Sequence, residues 1–473
     1  MSSFSIIQGG MGVAVSGWPL ARAVSMAGEL GVVSGTGLAV VFARRLQTGD
    51  VGGHLRRAAA AFPLPGVVGR VLDRYFSPEG KAPDEPFKSV PLPDVPMNPA
   101  LTELTVLANF AEVWLAKAGH AGQVGINYLE KIQVPTVAQL YGAMLAGVDY
   151  VLVGAGIPRA IPGVLDSLAE GREAAYRLDV DGAEPGETFV TQFDPAAFMG
   201  GAPPTLGRPK FLAIVSSATL AMTLARKSNG RVDGFVVEGS TAGGHNAPPR
   251  GPLQLSPEGE PVYGERDEPE LDKIRALGLP FYLAGGHATP EGLAEARAAG
   301  AAGIQVGTAF SLCEESGIEP SIKRQIIAQH QAGAVRVFTD PAASPTAFPF
   351  KVVSLDGTLS QPEVYAARER VCDLGYLRKP YRKPDGTLGH RCSAEPAELF
   401  VRKGGDPAET QGRKCICNAL FATIGLGQVR KGTSEPAVVT AGSSELDLQR
   451  FCKSGQESYT ATDVIDALVG EGA

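Results

Sequence analysis

The residues of this chain that could do chemistry gather where short apolar runs end in glycine. The fullest such place is GFVVEGSTAGGHNAPPRGP, from Gly234 to Pro252. Gly234 to Val237 reads as a buried strand, a short run of small and β-branched residues. Glu238 and Gly239 close it, and Ala242, Gly243, Gly244 and His245 follow. Two adjacent glycines let a backbone pass close to a bulky ligand where a Cβ would clash. Imidazole exchanges a proton near neutral pH. The stretch therefore offers a close-packed ligand surface with one acid/base group, His245, at its rim. Its plainer reading is a glycine-rich turn with an incidental histidine.

The same arrangement recurs along the chain. Gln8 leads into Gly9, Gly10, Met11 and Gly12; Asn127 ends the run QVGIN; Gly285 and Gly286 follow PFYLA; Gly307 and Thr308 follow GIQV. Each polar or glycine-rich end closes an apolar run and precedes a segment of helical periodicity. Counting such runs near Ile7, Val33, Ile126, Val153, Ile214, Val237, Leu283 and Val306 predicts eight βα units, and helical crossovers make the strands parallel. Eight units point to a closed TIM (β/α)8 barrel, an α/β fold. The competing open doubly wound sheet in its dinucleotide-binding form lacks its G-x-G-x-x-G after the first strand. Two stretches break the rhythm and read as insertions. Residues 46–99 are expected to be helical over 53–62 and then irregular, and residues 171–209 to carry a β-ribbon near 188–192. A lid is the expected role of the pair. The barrel is assigned to residues 1–335. Residues 336–473 lose the alternation and form a C-terminal extension holding five of the six cysteines.

Ligands of parallel barrels sit at the C-terminal strand ends, and the loops after strands seven and eight often bind a phosphate through backbone N–H groups. Gly285, Gly286, Gly307 and Thr308 fall on those two loops. The residues thus outline a phosphate site, a flat region lined by glycine backbone, and one histidine facing it. FMN has that shape.

Four motifs carry a resemblance to a known family. QGGMG (Gln8–Gly12), EGSTAGGH (Glu238–His245), AGGH (Ala284–His287) and GIQVGTAF (Gly303–Phe310) resemble the nitronate monooxygenases, or 2-nitropropane dioxygenases. The flavin-dependent enoyl-acyl-carrier-protein reductases share the barrel and motifs. The resemblance covers about residues 4–330 and implies an FMN-dependent oxidoreductase. Gly9, Gly10 and Met11 would line the isoalloxazine, Asn127 would hydrogen-bond near it, and Glu238, Gly243 and Gly244 would sit beside it. Gly285, Gly286, Gly307 and Thr308 would hold the phosphate, and His245 would be the catalytic acid/base. The leading expectation is oxidation of alkyl nitronates with O2. The alternative is reduction of enoyl thioesters with NAD(P)H in fatty-acid or polyketide synthesis. A ligand-binding subunit without catalysis is the reading from another class.

Four features depart from the family pattern, the two insertions among them. His287 stands where an aliphatic residue is usual and is expected to face solvent. Two prolines stiffen the loop after His245, where Arg250 could meet an anionic substrate or lie on the surface. The extension has no counterpart in short family members. Within it, Cys372, Cys392, Cys415 and Cys417 are zinc candidates, since four thiolates suit a tetrahedral site. Against this, C-x-C is a cramped ligand pair and no C-x-x-C occurs; reduced, mostly buried thiols are the plainer reading.

The composition sets the remaining bounds. Apolar residues make up 44% and charged residues 20%, which fits a globular protein with a sizeable core. A net charge of −7 without long charged blocks argues against nucleic acid as a partner. No apolar run is long enough to span a bilayer and no signal peptide is recognisable, so the expected compartment is the cytoplasm. The expected partners are a small-molecule substrate, an acyl carrier protein in the reductase case, and further copies of the chain as a homo-oligomer.

Overall fold

The protein is described by a computed structural model covering residues 4–444, 447–452 and 458–470. Runs such as LGVVS and YVLVG are apolar without alternation, as strands buried on both faces must be. They form β2 (Leu30–Ser34) and β4 (Tyr150–Gly154), buried at every position. With β1 (Ile6–Gln8), β3 (Val124–Leu129), β5 (Lys210–Val215), β6 (Gly234–Glu238), β7 (Phe281–Ala284) and β8 (Gly303–Val306) they close a parallel barrel in sequence order. All eight predicted strands are present. β1 closes the ring on β8, with Ile6 opposite Ile304. Phe4, Ile7, Val32, Leu152, Val236 and Tyr282 fill the interior, so any ligand space lies above this plug.

Helices after the strands start at defined caps. Ser217 accepts from Leu220 N at 3.2 Å before helix Ala218–Lys227, and Thr289 accepts from Gly292 N at 2.9 Å before helix Pro290–Ala298. Such side chains satisfy N–H groups that the first helical turn leaves open.

The first predicted insertion is more helical than expected. It begins inside helix Leu38–Gln47 and contains helices His54–Ala60 and Pro65–Tyr75. Proline in the first turn is tolerated because its missing N–H has no helical partner there. Val67, Val71 and Tyr75, four residues apart, are buried on one face, which is the helical period the sequence reading passed over. In the second insertion, Ala174–Arg177 pairs antiparallel with Val190–Phe193, as the expected ribbon.

From Val337 the chain leaves the alternation. Hairpin Val337–Asp340/Phe350–Val353 is followed by hairpin Lys379–Arg382/Leu388–Arg391 and helix Ile416–Thr423. Phe350, Tyr376, Leu420 and Phe421 of this region share a core with Val13, Val40, Val41 and Phe87 from the barrel side. Arg44 locks the two together. Only 3% exposed, it donates to the Leu426 carbonyl at 2.7 Å, with its guanidinium 5.0 Å from the Phe87 and Phe421 ring centres. Burial brings its pKa down to about 10; the cation persists, held by ring faces and a carbonyl. The basic run at residues 379–383 is neutralised across the molecule: Lys379 pairs with Asp181, and Arg382 with Glu187 at 2.8 Å. Helix Ala461–Val469 returns to pack on Trp18–Met26 and Pro290–Ala298. No helix among the described residues is long and apolar enough to cross a membrane.

Candidate active site

A cavity of about 480 Å³ opens at the C-terminal ends of the barrel strands. Its lining includes Gly9, Gly10, Met11, Asn127, Glu238, Gly243, Gly244, His245, Gly285, Gly286, Gly307 and Thr308. The fold thus brings together all twelve residues singled out from the sequence. The two predicted insertions contribute nothing to the lining among the described residues. The cavity is roofed instead by the extension, through Tyr376, Leu377, Ile416, Leu420 and Phe421.

The first loop is shaped from beneath. Gln8 is fully buried, and its amide donates to Ser16 Oγ at 2.8 Å while its carbonyl accepts from Val32 N at 3.1 Å. Ser16 Oγ in turn accepts from Met11 N and donates to the Gly9 carbonyl, both at 2.9 Å. The loop between them is therefore fixed in outline. The glycines do unequal things. A Cβ on Gly10 would stand 2.4 Å from Asn127 Cβ, so its bare backbone serves the neighbouring strand. A Cβ on Gly243 would meet Ala441 and Gly442 backbone at 2.9–3.0 Å. Only Gly244 of that pair has open space where a side chain would project, and its φ of +80° favours glycine independently. Gly285 and Gly286, at φ +92° and +79°, turn the chain after β7.

His245 is held from the extension. Its Nε2 lies 2.7 Å from Ser344 Oγ, which lies 2.8 Å from Thr346 Oγ1, and its ring meets Phe350 edge-on with centres 4.8 Å apart. Ser344 is itself fully buried, and Arg413 Nη1 holds its carbonyl at 2.5 Å. Backbone bonds clamp the same loop: Gly244 N to Thr440 Oγ1 at 2.8 Å, Lys351 N to the Gly244 carbonyl at 3.0 Å, and Asn246 N to the Pro349 carbonyl at 2.9 Å. What surface His245 keeps faces the cavity, and burial pushes its pKa down to about 4. Burial pushes the Glu238 carboxyl up to about 7. The charged form of each is disfavoured by the same loss of water. Over the mildly acidic range the cavity therefore holds a neutral imidazole and a protonated carboxyl.

Several residues at the site escaped the sequence reading. Ser344, behind His245, and Thr440, on the cavity lining, are ordinary hydroxyls far along the chain, with no local signal pointing to the Gly244–His245 loop. Arg450 lines the cavity and pairs with Glu291 at 3.4 Å, on the helix that follows the Gly285–Gly286 turn. His287, expected to face solvent, lines the cavity and is half-buried, with its pKa lowered by that burial. Arg250 is exposed.

Cys372, Cys392, Cys415 and Cys417 converge on a second, much smaller cavity. Among the described residues, however, no three or more His, Cys, Asp or Glu are grouped so as to hold a metal ion. The zinc expectation therefore gains no support from the arrangement. Cys313, in the barrel, is buried with its thiol donating to the Phe310 carbonyl.

A parallel barrel with a glycine-lined cavity at its C-terminal rim is an enzyme scaffold shared by many chemistries. Within it, residues 199–341 match the nitronate monooxygenase family. That segment contains three of the four motifs and establishes the resemblance for the second half of the barrel. Over 120 residues the chain is 34% identical to a probable nitronate monooxygenase of Bacillus subtilis, covering 25% of this chain and 32% of that protein. Over 101 residues it is 34% identical to a (3aS,4S,5R,7aS)-5-hydroxy-7a-methyl-1-oxo-octahydro-1H-indene-4-carboxyl-CoA dehydrogenase of Mycobacterium tuberculosis, covering 21% and 24%. The matched segments thus span about a quarter to a third of these relatives. FabK from Thermotoga maritima aligns over 99% of this chain and 92% of its own at 16% identity, with a TM-score of 0.48. A nitroalkane oxidase from Streptomyces ansochromogenes aligns over 98% and 94% at 15% identity, with a TM-score of 0.44.

Proposed function

We propose that this chain is a flavin-dependent oxidoreductase that binds FMN on the barrel rim and oxidises alkyl nitronates, with His245 as the acid/base group. The observation that carries the reading is a neutral, clamped imidazole beside open glycine backbone in a cavity whose polar atoms lack partners. Asn127 Oδ1, Gln305 Oε1 and Ser444 Oγ are buried on the cavity lining without a hydrogen-bond partner. Buried polar atoms are normally paired, and orphans on a cavity lining call for a ligand with complementary polar edges. A flavin supplies such edges, and the residues present fit it.

Asn127, Gln305 and the Gly9–Met11 loop would hold the ring, and Gly244 would give it backbone surface. Gly285, Gly286, Gly307 and Thr308 would hold the phosphate, with Arg450 as the cation at that end. The hydroxyl of Thr308 accepts from Gly442 N at 2.8 Å, which leaves its proton to donate to an anion. Bound flavin supplies the capacity to take electrons from a carbanion-like substrate. The chain's part is to orient that substrate and manage its proton. Ser344 engages Nε2 of His245, which leaves Nδ1 for the substrate. A neutral imidazole can accept the proton of a nitroalkane or donate a hydrogen bond to a nitronate oxygen.

The reductase alternative has one observation of its own. Tyr376, Leu377, Leu420 and Phe421 give the cavity an apolar wall, which would suit the chain of an enoyl thioester; an acyl carrier protein would then be the partner.

Anaerobic titration of the flavin-loaded protein with NAD(P)H, followed by visible absorbance, separates the two. The nitronate reading expects the flavin to stay oxidised with NAD(P)H and to be reduced by an alkyl nitronate. Rapid bleaching by NAD(P)H at a turnover-competent rate would replace it with the reductase. A protein that takes up no FMN would overturn both.

A further inference from the structure

Residues 440–444 of the extension run across the ends of three consecutive barrel strands. At the loop after β6, Gly244 N donates to Thr440 Oγ1 at 2.8 Å, and Ser443 N donates to the Thr241 carbonyl at 3.0 Å. At the end of β8, Gly442 N donates to Thr308 Oγ1 at 2.8 Å. At the turn after β7, Ser444 Oγ stands 3.2 Å from where a Cβ on Gly286 would lie. The corresponding point on Gly285 lies 2.9 Å from Thr241 Oγ1. Thr241, Thr308 and Ser444 all line the cavity. The segment is thus a strap that closes one end of the cavity with hydroxyls and glycine backbone.

Ser444 is the unfinished part of this closure. Its hydroxyl is buried with no hydrogen-bond partner, which is uncommon for a buried polar atom. A serine hydroxyl donates one hydrogen bond, and the proton of Thr308 is also left to donate. The one guanidinium on this lining, Arg450, lies six residues further along the same extension, shared between Glu291 at 3.4 Å and Asp447 at 3.5 Å. Ser444 lies outside the segment 199–341 that matches the family.

We propose that Ser444 is a ligand of a phosphate monoester held between the Gly285–Gly286 turn and the strap, so that the extension clasps the phosphate end of the cofactor. The identity of that cofactor rests on the flavin reading; the part played by the extension is additional to it. Ring contacts belong to the barrel, whereas the phosphate meets both the barrel and the extension. A ligand that touches both favours the closed strap by the same factor by which the closed strap favours the ligand. FMN should therefore keep the strap shut, and riboflavin, the same ring without the phosphate, should not.

The test compares FMN and riboflavin binding, by flavin fluorescence, to the full-length protein and to Ser444→Ala and Ser444→Asp. Hydrogen exchange at the Gly442 and Ser443 amides, both bonded to the barrel, reports strap opening. Ser444→Ala should raise the Kd for FMN about ten-fold or more, as expected for one hydrogen bond to a charged group, and Ser444→Asp should raise it further. The Kd for riboflavin should not move. FMN and inorganic phosphate, but not riboflavin, should slow exchange at the two amides. Equal losses of FMN and riboflavin affinity, or FMN affinity unchanged in both variants, would overturn the clasp and leave the flavin reading standing. If the variants do not fold, the parent decides: exchange slowed equally by FMN and riboflavin overturns the clasp. A protein that takes up no flavin while phosphate still slows those amides would keep the clasp and overturn the flavin reading. No response to flavin or to phosphate would overturn both.

Discussion

The barrel and the extension build the same cavity in opposite ways. The barrel contributes strand ends: glycine backbone, Asn127, Glu238 and His245, each set by its place on a repeating βα unit. The extension has no repeat. Among the described residues it is three short hairpins and short helices, held by a shared apolar core and by Arg44 between two aromatic rings. Yet it supplies Ser344 to the imidazole, Thr440 to Gly244, and the apolar roof. A barrel rim alone offers a ligand floor. The hydrogen bond that holds the imidazole and the apolar cover over the cavity come from the irregular part, and these demand packed side chains rather than strand ends.

Variants can break this division of labour at chosen points. The largest effect is expected at His245, the proposed acid/base group. His245→Ala should keep flavin bound and lower turnover by roughly a hundred-fold or more, read by steady-state kinetics with flavin occupancy checked by absorbance. Unchanged turnover would remove the histidine from the reaction.

The glycine pair sharpens the contrast next. Gly243→Ala places a methyl against Ala441 and Gly442 and should destabilise the protein by about 1–3 kcal/mol through overpacking. Gly244→Ala should cost about 1–2 kcal/mol for its left-handed backbone and should also weaken FMN binding. Thermal unfolding together with a flavin titration checks both. If Gly243→Ala weakens flavin more than Gly244→Ala does, the extension is not what Gly243 accommodates.

Ser344→Ala removes the partner of His245 Nε2 and should lower kcat about five- to ten-fold, the worth of about 1 kcal/mol for one hydrogen bond. KM should hardly move, and Ser344→Thr should restore part of the rate. A change in KM alone would mean that Ser344 shapes the pocket without orienting the ring.

The smallest effect is in the pH dependence of the flavin-free protein's stability. The folded pKa of His245, about 4, lies below its ordinary 6.5. Its contribution is present above pH 6.5 and is lost as pH falls toward 4. The folded pKa of Glu238, about 7, lies above its ordinary 4.5. Its contribution is present below pH 4.5 and is lost as pH rises through 7. Between pH 4.5 and 6.5 the two slopes oppose and nearly cancel. Glu238→Gln should unmask a stability that rises with pH there, by at most about 1.4 kcal/mol per unit, and His245→Ala one that falls. Denaturant unfolding across that window gives the slopes. A parent that already rises with pH would mean that the carboxyl is solvated, and a Glu238→Gln protein as flat as a flat parent would mean that both groups titrate as they do in water.

The eight strands were legible because a parallel strand buried on both faces leaves a continuous apolar run in the sequence. The candidate ligand floor followed from them, since closure brings all C-terminal strand ends to one rim. Helix Pro65–Tyr75 was legible in principle through its four-residue spacing, but prolines and glycines around it drew the reading toward irregular chain. The glycine stretches were read as close approach to a ligand, but at two of them the close neighbour is the protein itself. At Gly10 it is Asn127, at Gly243 the backbone of Ala441 and Gly442.

Local pattern thus determined the fold class, the order of the elements and the residues that face one another across the rim, because these depend on periodicity and on topology with few alternatives. The tertiary structure alone decided that Ser344 meets His245, that Phe421 and Tyr376 roof the cavity, and that His287 turns inward. Such contacts join residues separated by tens to hundreds of positions, where sequence spacing carries no information and only packing selects the partner. The protonation preferences of His245 and Glu238 belong to the same class, since a side chain's pKa departs from its ordinary value only when the fold removes its water.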